Sequence, residues 1–105
     1  MPADPAPSAD ALRLTDDDNV ATVLRDIGPG ETITVRAGAT ILSVTAQEAV
    51  PLCHKICLVP IGADEAVVKY GQCIGSATVN LVPGRHVHVE TMRSNRARLS
   101  SGSRA

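Results

Sequence analysis

Ala66-Val67-Val68-Lys69-Tyr70, the link Gly71-Gln72-Cys73-Ile74-Gly75, and Ser76-Ala77-Thr78-Val79-Asn80-Leu81 form two short apolar runs joined through a glycine-bearing segment. β-Branched side chains stand well on a pleated strand and lose rotamer freedom in a helix, so both runs read as strands. Gly71 and Gly75 mark either a tight turn or a place where the backbone closely approaches something, a ligand included. The pattern continues outward. Residues 32–36, 40–45, 55–60 and 86–90 are further short apolar or alternating runs broken by Gly, Pro or polar turns. One stretch departs from it: Thr15-Asp16-Asp17-Asp18 offers a cap and an anionic first turn, and Val20, Val23, Leu24 and Ile27 recur at helical spacing. This predicts one short helix, stopped by Gly28-Pro29-Gly30. The expected fold is therefore mainly β and compact, with one short helix. No alternation of strand and helix, no phosphate-binding glycine loop and no internal repeat is evident.

The 105 residues suffice for one core. With 44% hydrophobic residues but no Trp, no Phe and one Tyr, that core is aliphatic. A net charge of −1 and the lack of stacking aromatics argue against a nucleic-acid partner. No apolar run reaches the roughly 20 residues of a membrane span, and Met1-Pro2-Ala3-Asp4-Pro5 lacks the order of a secretory signal. No membrane partner is expected, and the expected compartment is cytoplasmic. Cys53, Cys57 and Cys73 are an odd set without a Cys-x-x-Cys pair, and read as small buried or half-buried thiols in a reducing environment. Residues 1–11, rich in Pro, Ala and Asp, read as a disordered arm, 12–92 as the folded domain, and 93–105 as a flexible basic tail.

Polar chemistry gathers at three places. In Gly84-Arg85-His86-Val87-His88-Val89-Glu90 strict alternation places His86, His88 and Glu90 on one strand face and the valines on the other. Imidazoles two residues apart on a strand, about 6–7 Å at the backbone, can hold a metal ion, hydrogen-bond a carboxylate, or simply face water. His54-Lys55 and Lys69-Tyr70-Gly71-Gln72 are the other two. A lysine holds a carboxylate and becomes a base when burial lowers its pKa, although most lysines are merely solvated.

Taken in order, Asp18-Asn19-Val20-Ala21, Pro51 with His54-Lys55-Ile56, Val68-Lys69-Tyr70-Gly71-Gln72 with Ile74-Gly75 and Ala77-Thr78, and Gly84 with His86-Val87-His88-Val89 resemble the SAF domain of the altronate and galactarate dehydratase (UxaA-type) family. The resemblance spans roughly residues 12–92. It implies a β-clip (SAF-type) fold and a stand-alone small subunit beside a large catalytic dehydratase subunit. It further implies elimination of water, or in one branch sulfite from sulfolactate, from a small hydroxy-acid substrate such as altronate or galactarate. A divalent metal, iron or manganese, would be held mainly by the partner. By the same resemblance His54, Lys55, Lys69, Tyr70, His86 and His88 contribute to the substrate pocket, while the strand face shared by His86, His88 and Glu90 makes these three the candidate metal ligands. Two departures stand out: Cys53 where the family often has glycine, and Glu90-Thr91 where it often has His-Asn.

Two function classes follow. One is the small subunit of a carbon–oxygen lyase, inactive alone; the other is a non-catalytic module that binds a small carboxylate or serves assembly. Self-association into a homo-oligomer stays open.

Overall fold

The computed structural model describes residues 9–88 and 91–94. Nine strands run through them: β1 (Ala11–Arg13), β2 (Val20–Val23), β3 (Thr32–Ala37), β4 (Thr40–Thr45), β5 (Lys55–Cys57), β6 (Ala66–Lys69), β7 (Gln72–Ala77), β8 (His86–Val87) and β9 (Met92–Ser94). Six form a sheet in the order β4-β3-β1-β2-β5-β8, and three form a second sheet in the order β6-β7-β9. β1 and β3 pair in parallel, and every other pair is antiparallel. No helix long and apolar enough to cross a membrane occurs among the described residues.

The fold is mainly β, as expected, but the helix is not there. Residues 20–23 form β2, and among the described residues no helix occurs. Two forces win over the apparent helical period. Val20, Thr22 and Val23 are β-branched, and neighbouring residues are buried on both sides of the strand. Val20 joins one apolar cluster, with Cys57, Ile61, Val67, Ala77, Leu81 and Val87. Ala21 and Val23 join another, with Ile33, Val35, Val50 and Ile56. On β5 the same division recurs: Ile56 lies opposite Ala21 and Cys57 opposite Val20. The β2–β5 pair is thus a wall between two cores, and a strand buried on both faces shows no polar alternation. At about 1.5–3 kcal/mol per fully buried aliphatic side chain, this wall dominates any local helical preference.

A repeat absent from the sequence reading appears in the hydrogen bonds. Ile27-Gly28-Pro29-Gly30-Glu31 and Ile61-Gly62-Ala63-Asp64-Glu65 fold as the same turn, each glutamate carboxylate accepting the amide of its glycine, at 2.6 and 2.7 Å. Gly30 and Asp64 both have positive φ, 85° and 71°. Both turns then bond to an alanine closing the following hairpin, Ala46 in the first and Ala77 in the second. Bridges Ile27–Val50 and Ile61–Leu81 close the two units. Each unit feeds its isoleucine to one of the two cores.

The glycines divided between the two readings offered for them. Tyr70 and Gly71, φ 55° and 79°, form the two-residue loop between β6 and β7, with Lys69 opposite Gln72. Positive φ at both positions is the geometry that matches strand twist in a tight hairpin. Gly75 lies inside β7, where a Cβ would collide with the Arg93 carbonyl of β9. Ala11 is buried within β1, and Arg93 and Ser94 belong to β9, so regular structure extends into both stretches read as tails. Of the cysteines only Cys57 is buried; Cys53 and Cys73 are exposed, contrary to expectation.

Candidate active-site cleft

β5 ends the wall, and β8 pairs with it at the sheet edge, Lys55 opposite Val87 and Ile56 opposite His86. Cross-strand partners share a face. Lys55 therefore lies on the side of Val87 and Thr22, and His86 on the side of Ile56. Strand alternation puts His88 with His86, and their rings stack with centroids 4.2 Å apart. Val87, between them, is fully buried. From the β5 side His54 meets this pair, its Nδ1 2.8 Å from His86 Nε2. One nitrogen of that contact carries the hydrogen and the other accepts it. Burial, and then the neighbouring His88 and His54, push His86 down to about 4 despite the opposing pull of Glu48. His86 is accordingly neutral at physiological pH.

His54 is set by a tight turn. Its amide donates to the Pro51 carbonyl at 2.9 Å, and Cys53 at the third position has φ 73°. That position favours glycine, which accounts for the glycine often found there in the family that the sequence resembles. On the β8 side two residues not anticipated from the sequence hold the backbone. Glu48 Oε2 accepts from Arg85 Nε at 2.7 Å and from the His86 amide at 2.9 Å. Burial works to raise the Glu48 pKa, but these bonds outweigh it and hold the carboxyl below its usual value. Thr91, buried, accepts the His88 amide at 3.0 Å, while its own amide donates to the His88 carbonyl at 2.9 Å.

Lys69 and Tyr70 arrive from the second sheet. The Tyr70 hydroxyl donates to Thr22 Oγ1 at 3.0 Å, and Lys69 Nζ lies 5.0 Å from the Tyr70 ring centroid. Burial and then the charge of Lys69 lower the Lys55 pKa. The hairpin is held in place by Asp18 and Asn19, which the sequence reading had assigned to a helix start. Buried Asp18 accepts from Leu14 N, Thr15 N and Thr15 Oγ1, and from Gly71 N at 2.7 Å. Burial works to raise its pKa, yet the Thr15, Gly71 and Leu14 bonds bring it down to about 2. Asn19 accepts the Val68 amide and donates to the Ala66 carbonyl, bonding to β6 as an added strand residue would.

A cleft of about 240 Å³ opens here, lined by Cys53, His54, Lys55, Val87, His88 and Met92. Its floor is apolar and its rim carries two imidazoles and an ammonium. Of the six residues expected in a substrate pocket, His54, Lys55 and His88 line it, His86 backs His54 and His88, and Lys69 and Tyr70 stand beyond Lys55. Glu90, the third residue of the candidate metal set, lies outside the described residues. Among the described residues no group of three donors is placed to hold a metal ion. His54 and His86 satisfy each other, and His86 and His88 stack face to face.

The cleft is also smaller than the roughly 300–1,000 Å³ of a typical small-ligand pocket. Fold and cleft together define a small strand-built domain that presents imidazole and ammonium groups at an open cleft. Residues 9–95 match the family described as the altronate/galactarate dehydratase SAF domain, and the chain belongs to that family. It is 34% identical over 84 residues to the altronate dehydratase of Bacillus subtilis (strain 168), covering 80% of this chain and 16% of that protein. With the altronate dehydratase of Escherichia coli (strain K12) it shares 36% over 78 residues, 74% of this chain and 15% of the relative. The match to the (2R)-sulfolactate sulfo-lyase subunit alpha of Chromohalobacter salexigens is 33% over 55 residues, 52% of this chain and 58% of that subunit. The chain thus spans about a sixth of the length of these altronate dehydratases.

Proposed function

We propose that the chain is the small SAF component of a lyase acting on a hydroxylated acid, and that its cleft completes the active site of a larger catalytic partner. The observation that carries this reading is the contact of His54 with neutral His86 at the rim of an open cleft beside Lys55. Elimination from a hydroxy acid removes a proton from the carbon next to the carboxylate. The electrons of that C–H bond form the new double bond, and the C–O bond breaks at the neighbouring carbon. The departing hydroxide takes up a proton and leaves as water; in the sulfonate case the C–S bond breaks instead of the C–O bond and its electron pair leaves with sulfite. A proton acceptor and a cation near the carboxylate are needed for this. His54, exposed and hydrogen-bonded to His86, is the group through which a proton is exchanged at this edge. His54, Lys55, Lys69, Tyr70, His86 and His88 are this domain's share of the pocket. A divalent cation, iron or manganese, belongs in this proposal to the partner.

The test is turnover of altronate, galactarate and sulfolactate by this chain with and without its candidate large subunit, with iron or manganese added. Activity only in the mixture supports the small-component reading and names the substrate. Silence from a verified, metal-loaded complex overturns it in favour of a non-catalytic binding or assembly module.

A further inference from the structure

Lys55 and Lys69 are both half-buried, and neither makes an ion pair with any of the described residues. A long cationic side chain removed from water is normally paired or lets its head reach solvent. Here two are brought together instead. Lys69 Nζ packs by the Tyr70 ring, Tyr70 bonds to Thr22, and Thr22 is the cross-strand partner of Lys55. The arrangement is not a loose surface coincidence, because the hairpin carrying Lys69 and Tyr70 is pinned to β2 by buried Asp18 and by Asn19. Asp18 spends its carboxylate on backbone amides and the Thr15 hydroxyl and makes no ion pair with either lysine. Burial, and then the nearby charge of Lys69, lower the Lys55 pKa. An oxyanion placed between the two ammonium groups offsets their like charge and gains charge-assisted hydrogen bonds.

We propose that Lys55 and Lys69 form a seat for one oxyanion group, a carboxylate or a sulfonate, of the ligand. The assignment rests on the cleft being a substrate pocket, and it divides the labour there: the lysine side anchors the acid group, and the histidines face the carbons to be changed. The full chain, labelled at lysine, is titrated with sodium lactate and with sodium sulfate at constant ionic strength made up with chloride, and followed by NMR. Both probes are expected to move the Lys55 and Lys69 signals along a saturating curve, whereas chloride does not. Lys69→Gln and Lys55→Gln, each with a native amide spectrum, should weaken the response tenfold or more. Arg36→Gln, the same charge change on β3, should alter it less than twofold. Shifts that stay linear and chloride-like, or an equal loss in all three variants, overturn the seat. A saturating response that disappears with Lys69→Gln in a chain whose complex turns nothing over retains the seat and rejects the lyase reading.

Discussion

Replacing Asp18 with Asn tests how the hairpin that carries Lys69 and Tyr70 is held. Asp18 is 3% exposed and accepts four hydrogen bonds, one of them from Gly71 at the hairpin tip. Its pKa falls from 3.8 to about 2 on folding, and at about 1.4 kcal/mol per unit this corresponds to about 2 kcal/mol of stability. The folded value is depressed, so the contribution is complete well above the unfolded pKa and is lost as pH falls through the folded pKa. About half is gone at pH 3 and most of it at pH 2. The Asn amide keeps an acceptor but loses the charge and turns an N–H toward other donors, so Asp18→Asn should cost about 2 kcal/mol at pH 7. Urea unfolding of both proteins at pH 7, 4, 3 and 2 measures the difference directly. The gap should shrink to about 1 kcal/mol at pH 3 and nearly vanish at pH 2. Because Asp10, Glu31 and Glu48 also titrate low, only the difference between the two proteins isolates Asp18. A gap under about 0.5 kcal/mol at pH 7, or one independent of pH, would refute the reasoning.

Cys53→Gly should stabilise the domain by about 0.5–1 kcal/mol, the left-handed strain removed less the extra freedom glycine gives the unfolded chain; a lower urea midpoint would contradict the turn at φ 73°. Gly75→Ala should cost at least about 2 kcal/mol, since the new Cβ collides with the Arg93 backbone rather than with a movable side chain; amide exchange should show β9 opening first, and unchanged protection there counts against the packing described. If the chain completes a lyase as proposed, His88→Ala should sharply reduce turnover of that complex while the domain stays folded, because buried Val87 carries the packing of β8; unaltered turnover at matched metal loading removes His88 from the site. Glu48→Gln leaves an acceptor for the His86 amide but removes the charge that favours protonated His86, so the His86 titration followed by NMR should move further below about 4; an upward shift would contradict the electrostatics assigned to this pair.

How far the sequence reveals this structure depends on whether the information is local. Val87 buried between stacked His86 and His88 follows from alternation, and the strand character of residues 66–69 from their β-branched apolar run. The helix was misread because Asp18, in a row of three aspartates, imitates an anionic first turn while its partners, Leu14, Thr15 and Gly71, lie behind it and far ahead. Nothing near Val20 announces that both faces of β2 are covered, one of them by residues some 40 positions later. The Ile-Gly-x-x-Glu turn was missed although its signal is local: two copies stand 34 residues apart, and the glutamate three places after the glycine returns to its amide in both. Glu48 was not, since only the meeting of β5 and β8 brings its carboxylate to the His86 backbone.

The position of the cleft follows from the same wall that makes two cores. Among the described residues, the outer edge of β5 pairs only with the two-residue strand β8. With so little regular structure there, side chains from both faces of β5 reach one opening, and groups that alternation would separate, His54 and Lys55, line it together. Fixing His54 requires a turn with positive φ, and fixing His86 and His88 requires Glu48 and Thr91 at the two ends of β8. The backbone constraints of this edge therefore converge on residues that carry no apolar packing. Stability alone has no use for stacked imidazoles at a sheet edge beside a half-buried lysine that makes no ion pair with any of the described residues, which is why the cleft, rather than either core, is where function is to be sought.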